Sequence, residues 1–357
     1  MTKEHMDLVR EGTNSAERKN IVHKLFYNAW FDAGKRGTLE GATGIGKTKA
    51  AIVAIVMQFA KKADSIVVIA VPTETLRDVD WPAEFVKWGH PELVEKTTRV
   101  CWVSLSELKV PTEVDLFVGD EVHHLTSAAS KFFDTNRVWN MLGLTATLPA
   151  GAITTTAGVR RALIDRYMPS VFKVSLEEGI ELSLVADFKI KVIFHELDTK
   201  EMYIPNGTKA RPTFTTEGSQ YKFLTRVIQK LAWQKKGDAK FMYIQKRVQL
   251  LRNLRSKLRI AKYLMNLMVT PDTRTIIFCG SIAQCNELCG ENVFHSESSS
   301  TGLDLFQQGT TNYLGAVDAL NEGVNLSDID QELMVDVNSV DRVAIQRLNK
   351  PGRYKFF

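Results

Sequence analysis

Eight residues, GATGIGKT from Gly41 to Thr48, limit the possible folds of this chain more than any other segment. They fit the pattern G-x-x-x-x-G-K-[ST] and run directly into KAAIVAIVMQFA, an apolar stretch with helical character. A loop of this kind works between the end of a strand and the start of a helix. Glycines at 41, 44 and 46 permit backbone angles and close approaches that a Cβ would forbid. Successive amide N–H groups and the helix N-terminus can then enclose phosphate. The predicted contacts are Thr43, Gly44, Ile45, Gly46, Lys47 and Thr48. Lys47 supplies the charge on the β- and γ-phosphates, and the Thr48 hydroxyl reaches Mg2+. ATP and Mg2+ are therefore the expected ligands.

The surrounding pattern agrees with such a fold. SIVVIAVP (65–72), TRVCWVSL (98–105), VDLFVGDE (114–121) and NMLGLTAT (140–147) are short and β-rich, and residues 50–61 read as a helix. Strands alternating with helices imply a parallel sheet covered on both faces. A second alternation follows in TRTIIFCGS, NVFHSE, NYLGAVDAL and QELMVDVNS. Between the two, residues 198–220 read as a loop and 221–268 as helical. The expected class is α/β: two lobes with parallel sheets, 1–185 and 269–357, joined by a basic, mainly helical segment over 186–268.

Charge separates that segment from the rest. From Lys222 to Lys262 there are thirteen Lys or Arg and one acid, Asp238, a net +12 in a chain whose total is +5, which leaves the remainder at −7. A basic block in an otherwise acidic chain points to a polyanionic partner, with a solvated lysine-rich face as the alternative. Lys246, Arg247, Arg252 and Arg255 are its candidate nucleic-acid contacts. Trp233, Tyr243 and Tyr263 lie among these charges and are read as the segment's own core, with base stacking as the alternative.

A phosphate loop needs a second metal contact and a means of activating water. GDEVHH at 119–124 follows the apolar run VDLFV, where a sheet presents its chemistry. Asp120 is read as the second Mg2+ contact and Glu121 as general base or water-orienting group. His123 is read as a polar link between Glu121 and the second lobe rather than as a metal ligand. Cys285 and Cys289 stand at i, i+4 without a second ligand pair, so a zinc site is not expected and all four cysteines read as reduced thiols. No apolar run approaches the ~20 residues of a membrane span, and the N-terminus lacks the apolar core of a secretory signal. A cytoplasmic monomer is expected, in the host cytoplasm if the source is viral.

GATGIGKT, VPTETL (71–76), DEVH (120–123), TAT (145–147), IIFCGS (276–281), ALNEGVNL (319–326) and AIQRLNKPGR (344–353) occur in the order of superfamily 2 helicase motifs I, Ia, II, III, IV, V and VI. The chain resembles the branch holding the type III restriction subunit and XPB-like helicases, and is similar to small phage helicases of DEAD/DEAH type. The resemblance implies two RecA-like lobes and ATP hydrolysis in the cleft between them. It implies that Thr73, Thr145 and Thr147 contact the nucleic-acid strand or couple it to the ATP site. Gly323 would approach the nucleotide, and Gln346, Arg347, Lys350 and Arg353 would serve catalysis. In motif VI, however, Asn349 stands where the family has glycine, and Lys350 where it has the first finger arginine. Lysine keeps the charge and loses the planar fork that grips phosphate oxygens. Asn325 replaces a frequent aspartate, no motif glutamine stands near His23, and only four residues follow Arg353 to finish the second lobe.

The reading is an ATP-dependent helicase or translocase acting on nucleic acid, DNA in preference to RNA, with a replication, recombination or nuclease partner. The alternatives are a nucleic-acid binding or annealing module with a weakened ATP site, and the motor subunit of a nuclease or restriction system.

Overall fold

The computed structural model describes residues 1–110, 113–187, 189–206, 210–317, 326, 329–336 and, in backbone only, 354–356. The chain divides into two compact units, the first built on Met1–Asp187. That unit opens with helices α1 (Lys3–Arg10) and α2 (Ser15–Asp32), capped by the side chains of Thr2 and Asn14. Strand β1 (Arg36–Gly41) leads into α3 (Lys47–Lys61), then β2 (Val67–Val71), α4 (Trp81–Lys87), α5 (Leu93–Lys96) and β3 (Thr97–Cys101). Next come β4 (Glu113–Gly119), α6 (Ser127–Thr135), β5 (Arg137–Thr145), α7 (Thr156–Tyr167), β6 (Ser170–Val174) and α8 (Leu176–Glu181).

The six strands form one parallel sheet in the order β3-β2-β4-β5-β1-β6. Every residue of β2, VVIAV, is buried, as expected for a strand covered on both faces. One face packs Val22, Phe26, Ile45, Ile55, Trp81 and Phe85 into a core, and the other packs Phe117, Phe132, Met141 and Met168. Because all six strands run the same way, their C-terminal ends share one edge. Gly41, Gly119 and Thr145 all stand there, and β5 separates β1 from β4.

The stretch 98–105 differs from its reading as a strand. The ladder stops at Cys101 and Trp102–Glu107 form a 3-10 turn. Trp102 is buried and its indole N–H donates to the Asp120 carbonyl at 2.8 Å, which requires the chain to turn inward at that residue.

The second unit takes in the described residues between 189 and 317 together with 329–336 and 354–356. Its elements are β7 (Lys189–Lys191), the antiparallel pair β8 (Ile204–Pro205) and β9 (Phe214–Thr215), and helices α9 (Glu217–Trp233), α10 (Gly237–Arg252) and α11 (Arg255–Met268). They are followed by β10 (Thr275–Phe278), α12 (Ile282–Cys289), β11 (Val293–Phe294), α13 (Thr301–Gln307), β12 (Tyr313–Ala316), β13 (Gln331–Met334) and β14 (Tyr354–Phe356). A second parallel sheet runs β11-β12-β10-β13-β14-β7. The residues after Arg353, expected to add little, form a strand that pairs with both β13 and β7. The sheet therefore uses chain from before and after the helical segment. Among the described residues, no helix is long and apolar enough to cross a membrane.

A buried carboxylate anchors the helical segment. Glu217 is fully buried at the start of α9 and accepts from Asp198 N (2.8 Å), Tyr203 Oη (2.6 Å), Ser256 N (3.0 Å) and the Ser256 hydroxyl. It joins the loop before α9 to the first turn of α11. Burial opposes its ionisation, yet these donors hold its pKa below the ordinary value. Because the folded pKa is depressed, this stabilisation is present above the ordinary carboxylate range and is lost as the pH falls through the folded value. Glu217→Ala would leave several buried donors without an acceptor and is expected to cost about 3 kcal/mol at neutral pH. Amide hydrogen exchange across α9 and α11 checks this; unchanged protection in the variant would remove Glu217 as the anchor.

Candidate nucleotide-binding site

The site begins at the end of β1. Gly44 (φ +94°) and Gly46 (φ +88°) hold left-handed backbone that other residues rarely adopt, and Gly46 is the N-cap of α3. Gly41 is glycine for a different reason than backbone freedom. A Cβ there would lie 2.1 Å from the Ile45 Cδ1, whose side chain fills the inside of the turn and is fully buried. The cap glycine has no side chain to bond the first-turn amides of α3, so these donors are open to an anion. The Lys47 ammonium folds back across the loop and donates to the Gly41 carbonyl at 2.9 Å. Burial lowers its pKa, against the opposing pull of the Glu121 and Asp120 carboxylates. Thr48 follows as the second residue of α3, and Thr43 lies in the loop itself.

The acids stand at the end of β4, on the same sheet edge. Asp120 is buried and accepts from the Trp81 indole at 3.0 Å, while its backbone N–H donates to the Ala70 carbonyl at 2.8 Å. Burial and the neighbouring Glu121 charge push its pKa up to about 6, although Trp81 and Lys47 pull the other way. Glu121 adopts left-handed backbone (φ 48°, ψ 58°), a strained state for a residue with a Cβ. Its Oε2 lies 3.2 Å from both the Thr145 hydroxyl and His123 Nδ1. Burial alone would raise the Glu121 pKa; the His123 hydrogen bond, the Lys47 charge and Thr145 bring it down to about 2. Two adjacent carboxylates are thus tuned in opposite directions. At Asp120 the Lys47 charge does not offset burial and the Glu121 charge, and a divalent ion would supply further positive charge. Glu121 stays ionised and suits orienting a polar ligand better than taking a proton. No cluster of three His, Cys, Asp or Glu able to hold a metal occurs among the described residues. A Mg2+ carried in with phosphates needs only one or two protein ligands, and Asp120 and Thr48 could provide them.

Other predicted site residues fall in several places. Thr145 is fully buried, with its hydroxyl 3.0 Å from His123 Nδ1 and also bonded to the backbone of Thr147. Buried in this way, its side chain is not exposed to contact a strand directly. His123 links Glu121 to Thr145. The Thr73 hydroxyl accepts from Leu76 N at 3.3 Å and caps the turn that becomes the π-helical stretch Leu76–Asp80, directly ahead of Trp81. On the helical segment, Lys246 lies over the Tyr243 ring and Arg247 reaches Thr225. Arg252 pairs with Asp336, and Arg255 pairs with Glu201 above the Tyr203 ring. The expectation that Trp233 and Tyr263 form the segment's core is not met: they are 86% and 65% exposed. Gly323, Gln346, Arg347, Lys350 and Arg353 lie outside the described residues.

Three contributors were not foreseen. Trp81 and Trp102 both hold Asp120, one at its side chain and one at its carbonyl. His23, on α2, bonds the Ile45 carbonyl inside the loop at 3.0 Å. Nothing in local sequence marks an indole or imidazole from a distant element as a partner of these groups.

The chain matches no known family profile and no curated protein in sequence. Among solved structures it is similar to the Pyrococcus furiosus Hef helicase domain, with a TM-score of 0.53 and 15% identity, covering 94% of each chain. The fold is helicase-like. At that identity the likeness speaks for the fold alone, and any chemistry rests on the chain's own residues.

The raised pKa of Asp120 has a direct consequence. In metal-free buffer its charge opposes folding most fully above about pH 6, and the cost fades as the pH falls toward the ordinary carboxylate range. Asp120→Asn should therefore raise the melting temperature by a few degrees at about pH 7.5, with a smaller gain near pH 5. A melting temperature equal to or below that of the parent at the higher pH would contradict the assignment.

Proposed function

We propose that the chain is an ATP-dependent nucleic-acid translocase or helicase, acting on DNA in preference to RNA. The observation that carries this reading is the convergence of Lys47, Asp120 and Glu121 on one sheet edge within a helicase-like fold. The uncapped start of α3 and the left-handed glycines would hold the β- and γ-phosphates, with Lys47 turning from the Gly41 carbonyl onto the nucleotide. Asp120 and Thr48 would hold Mg2+, which supplies positive charge on the phosphates. Glu121, ionised and fixed by His123 and Thr145, would orient the attacking water. By the resemblance of AIQRLNKPGR to motif VI, Arg347, Lys350 and Arg353 are proposed to supply the remaining positive charge that stabilises the transition state, and Gln346 to sit near the γ-phosphate.

The basic helices would grip the phosphate backbone through Lys246 and Arg247, with the exposed rings of Trp233 and Tyr263 available for stacking. Arg252 and Arg255 are held in ion pairs with acids of their own unit, so their contribution to binding would be smaller. A second reading, a binding or annealing module with a weakened ATP site, is favoured by Asn349 and Lys350. A motor subunit serving a separate nuclease is consistent with the same site.

Two variants separate these readings. Lys47→Ala should abolish nucleotide binding. Arg353→Ala should leave binding within a few-fold of the parent and slow ATP turnover by about 10³-fold or more. Equal turnover in Arg353→Ala and the parent chain would discard the finger assignment and favour the annealing module.

A further inference from the structure

The resting shape of the phosphate loop depends on a residue far from it in sequence. On α2, Asn20, His23 and Tyr27 follow helical spacing and face the loop and α3. Asn20 accepts from the Lys49 ammonium at 3.1 Å, and the Tyr27 hydroxyl donates to the Ala50 carbonyl at 2.7 Å. Between them, His23 is 95% buried, and its Nε2 lies 3.0 Å from the Ile45 carbonyl. A carbonyl can only accept, so Nε2 carries the proton. The same ring lies against Gly46: a Cβ on that glycine would be 3.0 Å from Cε1 and 3.1 Å from Nε2.

Peptide planarity gives this contact its consequence. The C=O of Ile45 and the N–H of Gly46 belong to one trans peptide and point in opposite directions. With the carbonyl held toward α2, the Gly46 N–H faces away from α2, on the side of the loop where an anion would sit. The loop would otherwise be free to rotate this peptide, since Gly46 tolerates either sign of φ. Burial keeps the imidazole below its ordinary pKa, with the Lys49 and Lys19 charges acting in the same direction, so the ring is a neutral single donor on this side.

We infer that His23 is a positioning residue for the nucleotide site: by bonding the Ile45 carbonyl it fixes the Ile45–Gly46 peptide with its N–H presented to the phosphates. This rests on the phosphate-loop reading. The gain is preorganisation, because a peptide already oriented loses no freedom when the anion arrives.

Equilibrium titration of the full chain with a ribose-labelled fluorescent ATP analogue and Mg2+ tests it, with thermal unfolding of each variant alongside. His23→Ala and His23→Phe should weaken binding about tenfold, the second because it keeps a ring and loses the donor. His23→Gln, which can still donate to the carbonyl, should stay within about threefold of the parent. If His23→Ala fails to fold, the comparison of Phe with Gln carries the test. Phe binding as well as the parent, or Gln binding as weakly as Phe, would overturn the inference. A parent chain that fails to bind, or binds no better than Lys47→Ala, would instead bring down the phosphate-loop reading and this inference with it.

Discussion

A half-buried lysine ammonium, a buried aspartate and a half-buried glutamate at one edge of a parallel sheet set the terms for the first unit. Charges taken out of water need partners, and the sheet order determines which elements can supply them. Strand β5 lies between β1 and β4, so Thr145 at its end stands between the loop that carries Lys47 and the turn that carries Asp120 and Glu121. The two helical layers also converge there. Trp81 belongs to the core of one face and Trp102 to the core of the other, and each donates its indole N–H to Asp120. The hydrophobic packing of the unit therefore fixes the position of a buried acid.

The opposite tuning of the two acids follows from that arrangement. Asp120 is buried, held by one indole at its side chain and beside the charge of Glu121, so its pKa rises to about 6 and its charge is costly at neutral pH. Glu121 has His123, Thr145 and Lys47, so it keeps its charge. The left-handed backbone at Glu121 turns the chain directly after the strand, and strain of this kind persists where surrounding contacts enforce it. Thr145 also bonds the backbone of Thr147, so the acid and the 145–147 segment share one hydrogen-bond network.

Much of this was legible in the sequence where short-range chemistry decides the outcome. The loop could be read because left-handed glycines, a lysine and a following apolar helix are local requirements, and the acids because they end an apolar strand. Gly41 serves the close approach, since Ile45 fills the space a Cβ would take, while the backbone freedom is used at Gly44 and Gly46. His23, Trp81 and Trp102 were invisible because their roles arise only when distant elements pack together. On the helical segment, a count of charges could not reveal that Arg252, Arg255 and Arg259 are paired with Asp336, Glu201 and Asp198. Interleaved aromatics suggested a core, but α10 has no buried residue and Trp233 projects outward. The loop before α9 looked featureless because its order comes from Glu217, to which Asp198 and Tyr203 both donate.

The central claim is that this edge hydrolyses ATP and that nucleic acid controls the rate. Phosphate release by the purified chain in Mg2+ and ATP, compared side by side with duplex DNA, single-stranded DNA, RNA and no nucleic acid, tests it most directly. Turnover that depends on Mg2+ and rises at least about tenfold with one of the DNA forms is the predicted result, a change of roughly 1.4 kcal/mol in the barrier. Turnover that is absent, or the same with and without every nucleic acid, would contradict the account.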